Sequence, residues 1–569
     1  MSDPTPYVVV EKPTRLSESL LWSIQVSYFQ DRGLNAWGSG EVPYLVTTSP
    51  LVADAYAKML HGFMLDCVDG CYGPYDSTEP IYLIELGAGS GRLAFNTVSS
   101  LLELVKQDGH KFVYVMTDLA SANIEAWRKH PGLANFIQQD LIDFARFDVV
   151  SGTEISLELS GKKLSRGTVV NPLGALATYL FDVIPQDLYV ASNGLSYEEL
   201  VALIAPEGHL DTGTVEFFRQ LRLLPFRVDP GTDRYLDDDL DTVLAQTRQK
   251  YENGTWKHDR RFLFPSGALR VVKTLVNISE KRLVLLLGER ADKLPVLAVP
   301  EDSTGVADPD LAVQLGLDPS TRLYIYRSVQ LLGMGIHGAS FSLPVELEIL
   351  ASLLQLWSAI VLTPSTPLSR ISIAAAVVGA QKPSSHLTNA FNITVEEFQA
   401  SEMLFEVPSL SIEDKMRLSL DVLMRLITMS HYDLYLVPTL RSAITARLAG
   451  ASPQQVAHAV SILKRAANNY YCLPVVPGST PGTNYPFIFA TLFSVAGAFP
   501  EALEYVAKSE SDFGLNPATC LLAASAHLAL GKYELALTKA KMALELNPNF
   551  APARQFIQEL DQLSPDSRE

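Results

Sequence analysis

Basic charge is what this sequence is short of. Lys and Arg number 45 against 63 Asp and Glu, a formal net charge of −18, and no Lys/Arg run is interleaved with aromatics. Attraction to a phosphate backbone or an anionic bilayer needs an excess of cations. Nucleic acid and membrane are therefore not expected as partners, and the acidic balance serves solubility. Cysteine is scarce as well: Cys67, Cys71, Cys472 and Cys520 are the four, too few for a disulfide scaffold in a chain of this length, and they read as reduced. Cys67 and Cys71 share a helical face, but without two further clustered ligands they make no structural zinc site, and no metal is expected. Long apolar runs are missing too. The most apolar helical stretch, Leu347 to Leu362, is only about four turns long and holds Gln355, so it reads as a buried helix and not a membrane span. Met1 to Val10 has no basic segment ahead of an apolar core, which leaves no recognisable leader and an expected cytoplasmic location.

What is present is a globular composition: 47% hydrophobic and 19% charged residues over 569 positions, enough for roughly two to four domains. Apolar residues recur at helical spacing over Ser17 to Phe29 and Leu51 to Met64. Strand, helix and strand then alternate: Ile81 to Leu86, Arg92 to Val105, Lys111 to Thr117, Ser121 to Lys129, Asn135 to Gln138 and Thr168 to Val170. Such alternation predicts an α/β fold, a parallel sheet with helices on both faces. Residues 201–267 break the rhythm and read as an insertion with its own helices and loops. Strand character resumes at Arg282 to Leu287 and, as an antiparallel edge, at Arg322 to Gln330, and the sheet is expected to close near Leu343.

From Pro344 onward the pattern is helical, with amphipathic stretches at Glu413 to Met429 and Pro453 to Asn469, and Pro474 to Tyr485 is the best linker. Beyond it Gly497-Ala-Phe-Pro-Glu-Ala-Leu503 recurs as Gly531-Lys-Tyr-Glu-Leu-Ala-Leu537, an offset of 34 residues. That is the tetratricopeptide period, in which a glycine turns between helices and a small alanine lets them approach. Ala551 to Leu560 reads as a capping helix. The expected domains are 1–345 for the sheet, 346–480 for a helical region and 481–569 for tetratricopeptide-like repeats.

Chemistry concentrates in Ile81-Tyr-Leu-Ile-Glu-Leu-Gly-Ala-Gly-Ser-Gly-Arg-Leu93: a buried strand, a glycine turn and a helix start. Gly87 and Gly89 can take positive φ and bring backbone against a ligand. Glycine spacing alone also fits a dinucleotide fingerprint, so a nicotinamide enzyme is the competing reading. Glu85, two residues before the first glycine, tilts the balance. The Glu-Leu-Gly-Ala-Gly-Ser-Gly string resembles the first motif of class I S-adenosylmethionine methyltransferases, which have a Rossmann-like sheet. The resemblance implies S-adenosyl-L-methionine as cofactor, held by Glu85, Gly87, Ala88 and Gly89. It further implies Asp118 and Leu119 at the ribose, and Asp140 and Leu141 at the adenine.

Ala177-Thr-Tyr-Leu-Phe-Asp-Val-Ile-Pro-Gln-Asp187 resembles the Asn-Glu-Phe-Phe-Asp-Val-Leu-Pro segment of the MidA-like methyltransferases, a family that includes an arginine-methylating assembly factor of complex I. Thr48-Ser49-Pro50 is similar to that family's element ahead of the first strand, adding Thr48 and Ser49 to the cofactor residues. Two departures stand out: Thr178-Tyr179 replaces Asn-Glu, removing a carboxylate that would hold a guanidinium, and no Asp-Tyr-Gly follows the strand at Leu287-Gly288-Glu289. The candidate catalytic residues are Asp182 as a base, Tyr179 shaping the acceptor pocket, and His337. Three functions stay open: a protein methyltransferase whose helical half selects the partner, a cofactor-holding assembly or scaffold protein without transfer, and a small-molecule methyltransferase.

Overall fold

The structure is a computed structural model and describes residues 6–38, 42, 48–106, 108–255, 259–290, 306–337, 339–365, 371–401, 404, 406–471 and 483–562. Contacts divide the chain into two compact units. One comprises Met1–Thr47 and Ala55–Phe398, the other Thr48–Asp54 and Gln399–Glu569.

The first unit opens with strand β1 (Tyr7–Thr14), helix α1 (Leu20–Arg32) and the short α2 (Asn35–Gly38). Helix α3 (Pro50–Val68), whose first residues group with the second unit, leads to β2 (Ile81–Leu86). Alternation follows through α4 (Arg92–Val105), β3 (Phe112–Asp118), α5 (Ser121–Lys129), α6 (Ala134–Gln138), β4 (Ile142–Arg146) and β5 (Leu173–Thr178). An excursion contributes β6 (Asp187–Ser192), β7 (Leu195–Pro206), β8 (Arg222–Val228) and β9 (Arg260–Phe264). The chain returns at β10 (Leu283–Arg290) and continues through β11 (Tyr326–Arg327), the hairpin β12 (Gly335–His337) and β13 (Ser340–Ser342), β14 (Ile360–Leu362) and β15 (Ile371–Val378).

Seven strands form the main sheet in the order β14-β15-β10-β5-β2-β3-β4. The five from β10 to β4 pair in parallel, while β15 runs antiparallel to both β10 and β14. Chain order reverses between β2 and β5, the place where open α/β sheets leave a crevice at the carboxyl ends of their strands. Every residue of β2 is buried, as a central parallel strand covered on both faces requires. Ile84, Ala175, Leu285 and Ala376 belong to one apolar cluster across this sheet, where burying an aliphatic side chain contributes roughly 1.5–3 kcal/mol.

The second sheet is antiparallel, β9-β6-β7-β8-β11, with β1 also on β7. Leu188, Val201, Leu203 and Leu223 of this sheet pack with Leu21, Trp22 and Ile24 of α1. Inside it Arg15 Nε lies 3.0 Å from Glu198 and 3.3 Å from Asp187, and Arg261 pairs with Glu199 at 2.5 Å. Buried charges persist only when paired in this way.

Several sequence expectations need correction. Residues 135–138 lie in helix α6, not a strand, and the strand is β4, beginning at Ile142. The strand expected at 168–170 is β5, at Leu173–Thr178. The insertion carries helices, at Val215–Gln220 and Asp238–Glu252, as expected, but it also holds antiparallel strands and starts at Asp187, and β11 joins that second sheet instead of edging the first. The main sheet does not close near Leu343: a helix at Leu347–Leu356 ends before Ser358 at φ 56°, and β14 and β15 follow, carrying the first unit on to Phe398 where 345 was expected.

The second unit's described secondary structure is helical. Helices at Leu420–Met429, Leu436–Leu448, Pro453–Asn468, Tyr485–Val495 and Phe499–Phe513 share one core that includes Leu423, Leu440, Leu463, Phe489 and Tyr505. The single helix expected over 413–429 breaks at Ser419, whose hydroxyl caps the Val422 N–H. Gly497 and Gly531 both take positive φ, 73° and 72°, ahead of helices whose Ala502 and Ala536 are fully buried. Most of the expected linker, 474–482, lies outside the described residues. Among the described residues no helix is long and apolar enough to cross a membrane.

Candidate cofactor-binding site

Strand β2 ends in a turn at which Gly87, Gly89 and Gly91 have φ of 66°, 51° and 75°, left-handed values that favour glycine. Ala88 N–H donates to Thr117 O at 2.7 Å, and Gly89 N–H donates to Asp118 Oδ2 at 3.0 Å. The Trp127 indole N–H donates to Gly89 O at 3.1 Å. The turn is thus tied to the end of β3 and to α5. A Cβ on Gly87 would lie 3.0 Å from Leu180 Cδ1, and one on Gly89 would lie 2.7 Å from Trp37 Cζ2. Glycine is demanded here by conformation and by neighbouring side chains. Gly91 caps α4, so that helix presents its unpaired N–H groups to the turn, an arrangement suited to negative charge.

Asp118 stands at the tip of β3. Its Oδ1 accepts from Ala120 N–H at 2.9 Å while Oδ2 accepts from Gly89 N–H at 3.0 Å. Burial raises its pKa, although the N–H groups of Ala120 and Gly89 pull the other way. Leu119 O accepts from Arg146 Nε at 3.3 Å. Glu85 lies beneath the turn, buried, with Oε2 accepting from Tyr114 OH at 2.9 Å. Burial pushes its pKa up to about 8 against that hydrogen bond.

The structure brings Glu85, Gly87, Ala88, Gly89, Asp118 and Leu119 together, but not Asp140 and Leu141. Asp140 is exposed at φ 54° just before β4. Because Ile142 pairs with Tyr114 and Arg146 with Asp118, Asp140 lies at the amino end of the strands, roughly 15–20 Å of strand length from the turn. Asp140 is therefore not placed to meet an adenine at the turn, because residues 134–138 form helix α6 and the strand begins only at Ile142. Ser49 caps α3 through Val52 N–H at 3.3 Å. Thr48 and Ser49 group with the second unit and form no part of the geometry described for the turn.

Beyond β5, Tyr179 has φ 50° and donates its N–H to Gly288 O at 2.8 Å. Asp182 sits in the one-turn helix Phe181–Val183 and is buried, its carbonyl accepting from Leu343 N–H at 2.7 Å. His337 Nε2 lies 3.1 Å from Ser342 Oγ across the β12–β13 hairpin that precedes Leu343. Sequence reasoning missed three neighbours. Trp37 faces Gly89. Tyr56 of α3 receives a hydrogen bond from Thr178 Oγ1 at 2.9 Å. Glu289 at the end of β10 accepts from Phe181 N–H at 3.2 Å. Burial, and then the charge of Asp182, push the Glu289 carboxyl well above its ordinary range. Only Glu289 had a sequence signal, an acid closing an apolar strand as Asp118 does.

No protein-family model matches the chain, and no curated protein matches it. Two solved structures, both from Burkholderia thailandensis, are similar to it. One is an uncharacterized protein, 10% identical over 64% of this chain and 89% of that one, with a TM-score of 0.36. The other is a candidate methyl transferase bound to S-adenosyl-homocysteine, 10% identical over 64% of this chain and 94% of that one, with a TM-score of 0.33.

Proposed function

We propose that the chain is an S-adenosyl-L-methionine-dependent methyltransferase acting on a protein side chain. The observation that carries this reading is the glycine turn with Asp118, set at the carboxyl ends of β2 and β3 beside the reversal of strand order, where α/β sheets bind nucleotide-like ligands. The competing nicotinamide reading calls for a second parallel half of the sheet; here that edge is the antiparallel pair β14 and β15. The cofactor would supply an electrophilic methyl group on a sulfonium. The backbone from Gly87 to Gly91 would hold its amino-acid end, and Asp118 would accept from its ribose hydroxyls. Buried Phe181 and Leu180 exclude water from the space beside the turn, which strengthens polar contacts there. The helical repeats would select the partner, since stacked helices offer extended surfaces for peptides.

A second reading, a cofactor-holding assembly protein without transfer, draws on Thr178-Tyr179 in place of Asn-Glu. Calorimetry with S-adenosylhomocysteine tests the common ground: one site is expected, and Gly87→Val should abolish it, because a branched side chain meets Leu180 and cannot hold φ 66°. Undiminished binding in that variant would sink the assignment. Radiolabelled methyl transfer into cell extract separates the rest. Label in protein supports the proposal, dialysable label indicates a small acceptor, and binding without transfer favours the assembly role.

A further inference from the structure

We infer that Asp182 and Glu289 form the recognition site for a positively charged nitrogen, an ammonium or guanidinium group, on the molecule to be methylated. The inference rests on the methyltransferase reading. Strands β5 and β10 are parallel neighbours, with Ala177 opposite Leu287 and Thr178 opposite Gly288. Their next residues leave the sheet side by side, which puts Glu289 against the 179–182 segment. Leu180, in that segment, lies against Gly87 of the glycine turn. The two carboxyl groups therefore stand next to the place where the cofactor would react.

Glu289 is 3% exposed and Asp182 6%. Glu289 accepts from Phe181 N–H, with the Leu180 N–H also set toward the carboxyl, while Oε2 is buried without a close hydrogen-bond partner. A carboxyl kept only to brace a backbone N–H would not need a like-charged neighbour, which raises the cost of burying both. A cation placed between them answers the repulsion and the unmet oxygen together. A metal ion fits less well. Hard cations take six or more oxygen ligands, and among the described residues no third His, Cys, Asp or Glu gathers with this pair.

The test uses the full-length protein. Affinity for S-adenosylhomocysteine is measured first, and its absence refutes the cofactor reading itself. The protein saturated with that compound is then titrated with Nα-acetyl-arginine amide, Nα-acetyl-lysine amide and the neutral analogues Nα-acetyl-citrulline amide and Nα-acetyl-norleucine amide, followed by saturation-transfer NMR. At least one cationic probe should bind about tenfold or more tightly than its neutral counterpart, and Glu289→Gln should remove that advantage while S-adenosylhomocysteine affinity stays within about twofold. Preference for the arginine probe identifies a guanidinium acceptor, preference for lysine an ammonium. Equal binding of charged and neutral probes, binding of none, or an unchanged preference in the variant overturns the inference. Asp182→Asn carries the same expectation and decides the matter where Glu289→Gln fails to fold.

Discussion

At the scale of single residues the two acids of the glycine turn do different work. Glu85 is buried under the turn with a carboxyl pKa near 8 against an ordinary value of 4.5. Between those values the folded chain holds a proton that the unfolded chain has lost, so folding stability declines as pH rises through that window. Glu85→Gln removes the titration. The stability of wild type relative to this variant should fall by something on the order of 3–5 kcal/mol between pH 4.5 and pH 9. Urea unfolding of both proteins across that range checks it, and a constant gap would show Glu85 ionised in the fold. In the proposed function Asp118 is the acid that accepts from the ligand. Asp118→Ala should weaken S-adenosylhomocysteine binding by about 1.5–3 kcal/mol, since a charged acceptor is lost and the N–H groups of Gly89 and Ala120 are left unpaired. Asp140→Ala should leave affinity unchanged within about twofold, because Asp140 lies at the other end of the strands. Calorimetry on the two variants separates them. Parallel pairing sets the two aspartates at opposite ends of the strands.

Among elements, those specified by short-range signals were legible. Strand β2 and helices α4 and α5 stand where the sequence places them, because a glycine turn, an apolar strand and a helical repeat are local properties. Helix α6 is ambiguous in the sequence because five residues with two buried or half-buried apolar positions suit either period. The β6–β7 hairpin has a local signal in the sequence. Asn193 and Gly194, at φ 51° and 78°, make the two-residue turn that an Asn-Gly pair favours. The antiparallel strand β15 depends on a contact no local pattern reveals. Just beyond it Gly379 has φ 75°, and a Cβ there would lie 1.8 Å from Lys281 O. Gly379→Ala should therefore destabilise the protein by about 3 kcal/mol or more. Gly194→Ala, at φ 78° with nothing within 4 Å, should cost only about 1–2 kcal/mol for its backbone strain. Thermal or urea unfolding of this pair distinguishes a steric clash from strain alone, and equal losses would place the clash elsewhere.

For the whole molecule the decisive experiment is removal of residues 514–569, three helices whose own small cluster is Cys520, Ala543 and Ala553. From this stretch Ala523 enters the larger core of the second unit and Leu522 packs against it, a small share of that core, so the remainder should stay folded, with helical content reduced in proportion by circular dichroism. Affinity for S-adenosylhomocysteine should be unchanged and methylation of extract proteins should fall. If both survive at full strength, the repeats do not select the acceptor. The sequence by itself determined the strand-turn-helix from Ile81 to Val105, the acid that closes β3 and the 34-residue recurrence at Gly497 and Gly531. Each of these follows from periodicity or backbone freedom within a few turns of chain. Only the tertiary structure decided which acids share the site. Parallel pairing puts the carboxyl ends of β2, β3, β5 and β10 along one edge, gathering Glu85, Asp118, Asp182 and Glu289 from across some 200 positions of sequence and leaving Asp140 on the opposite edge.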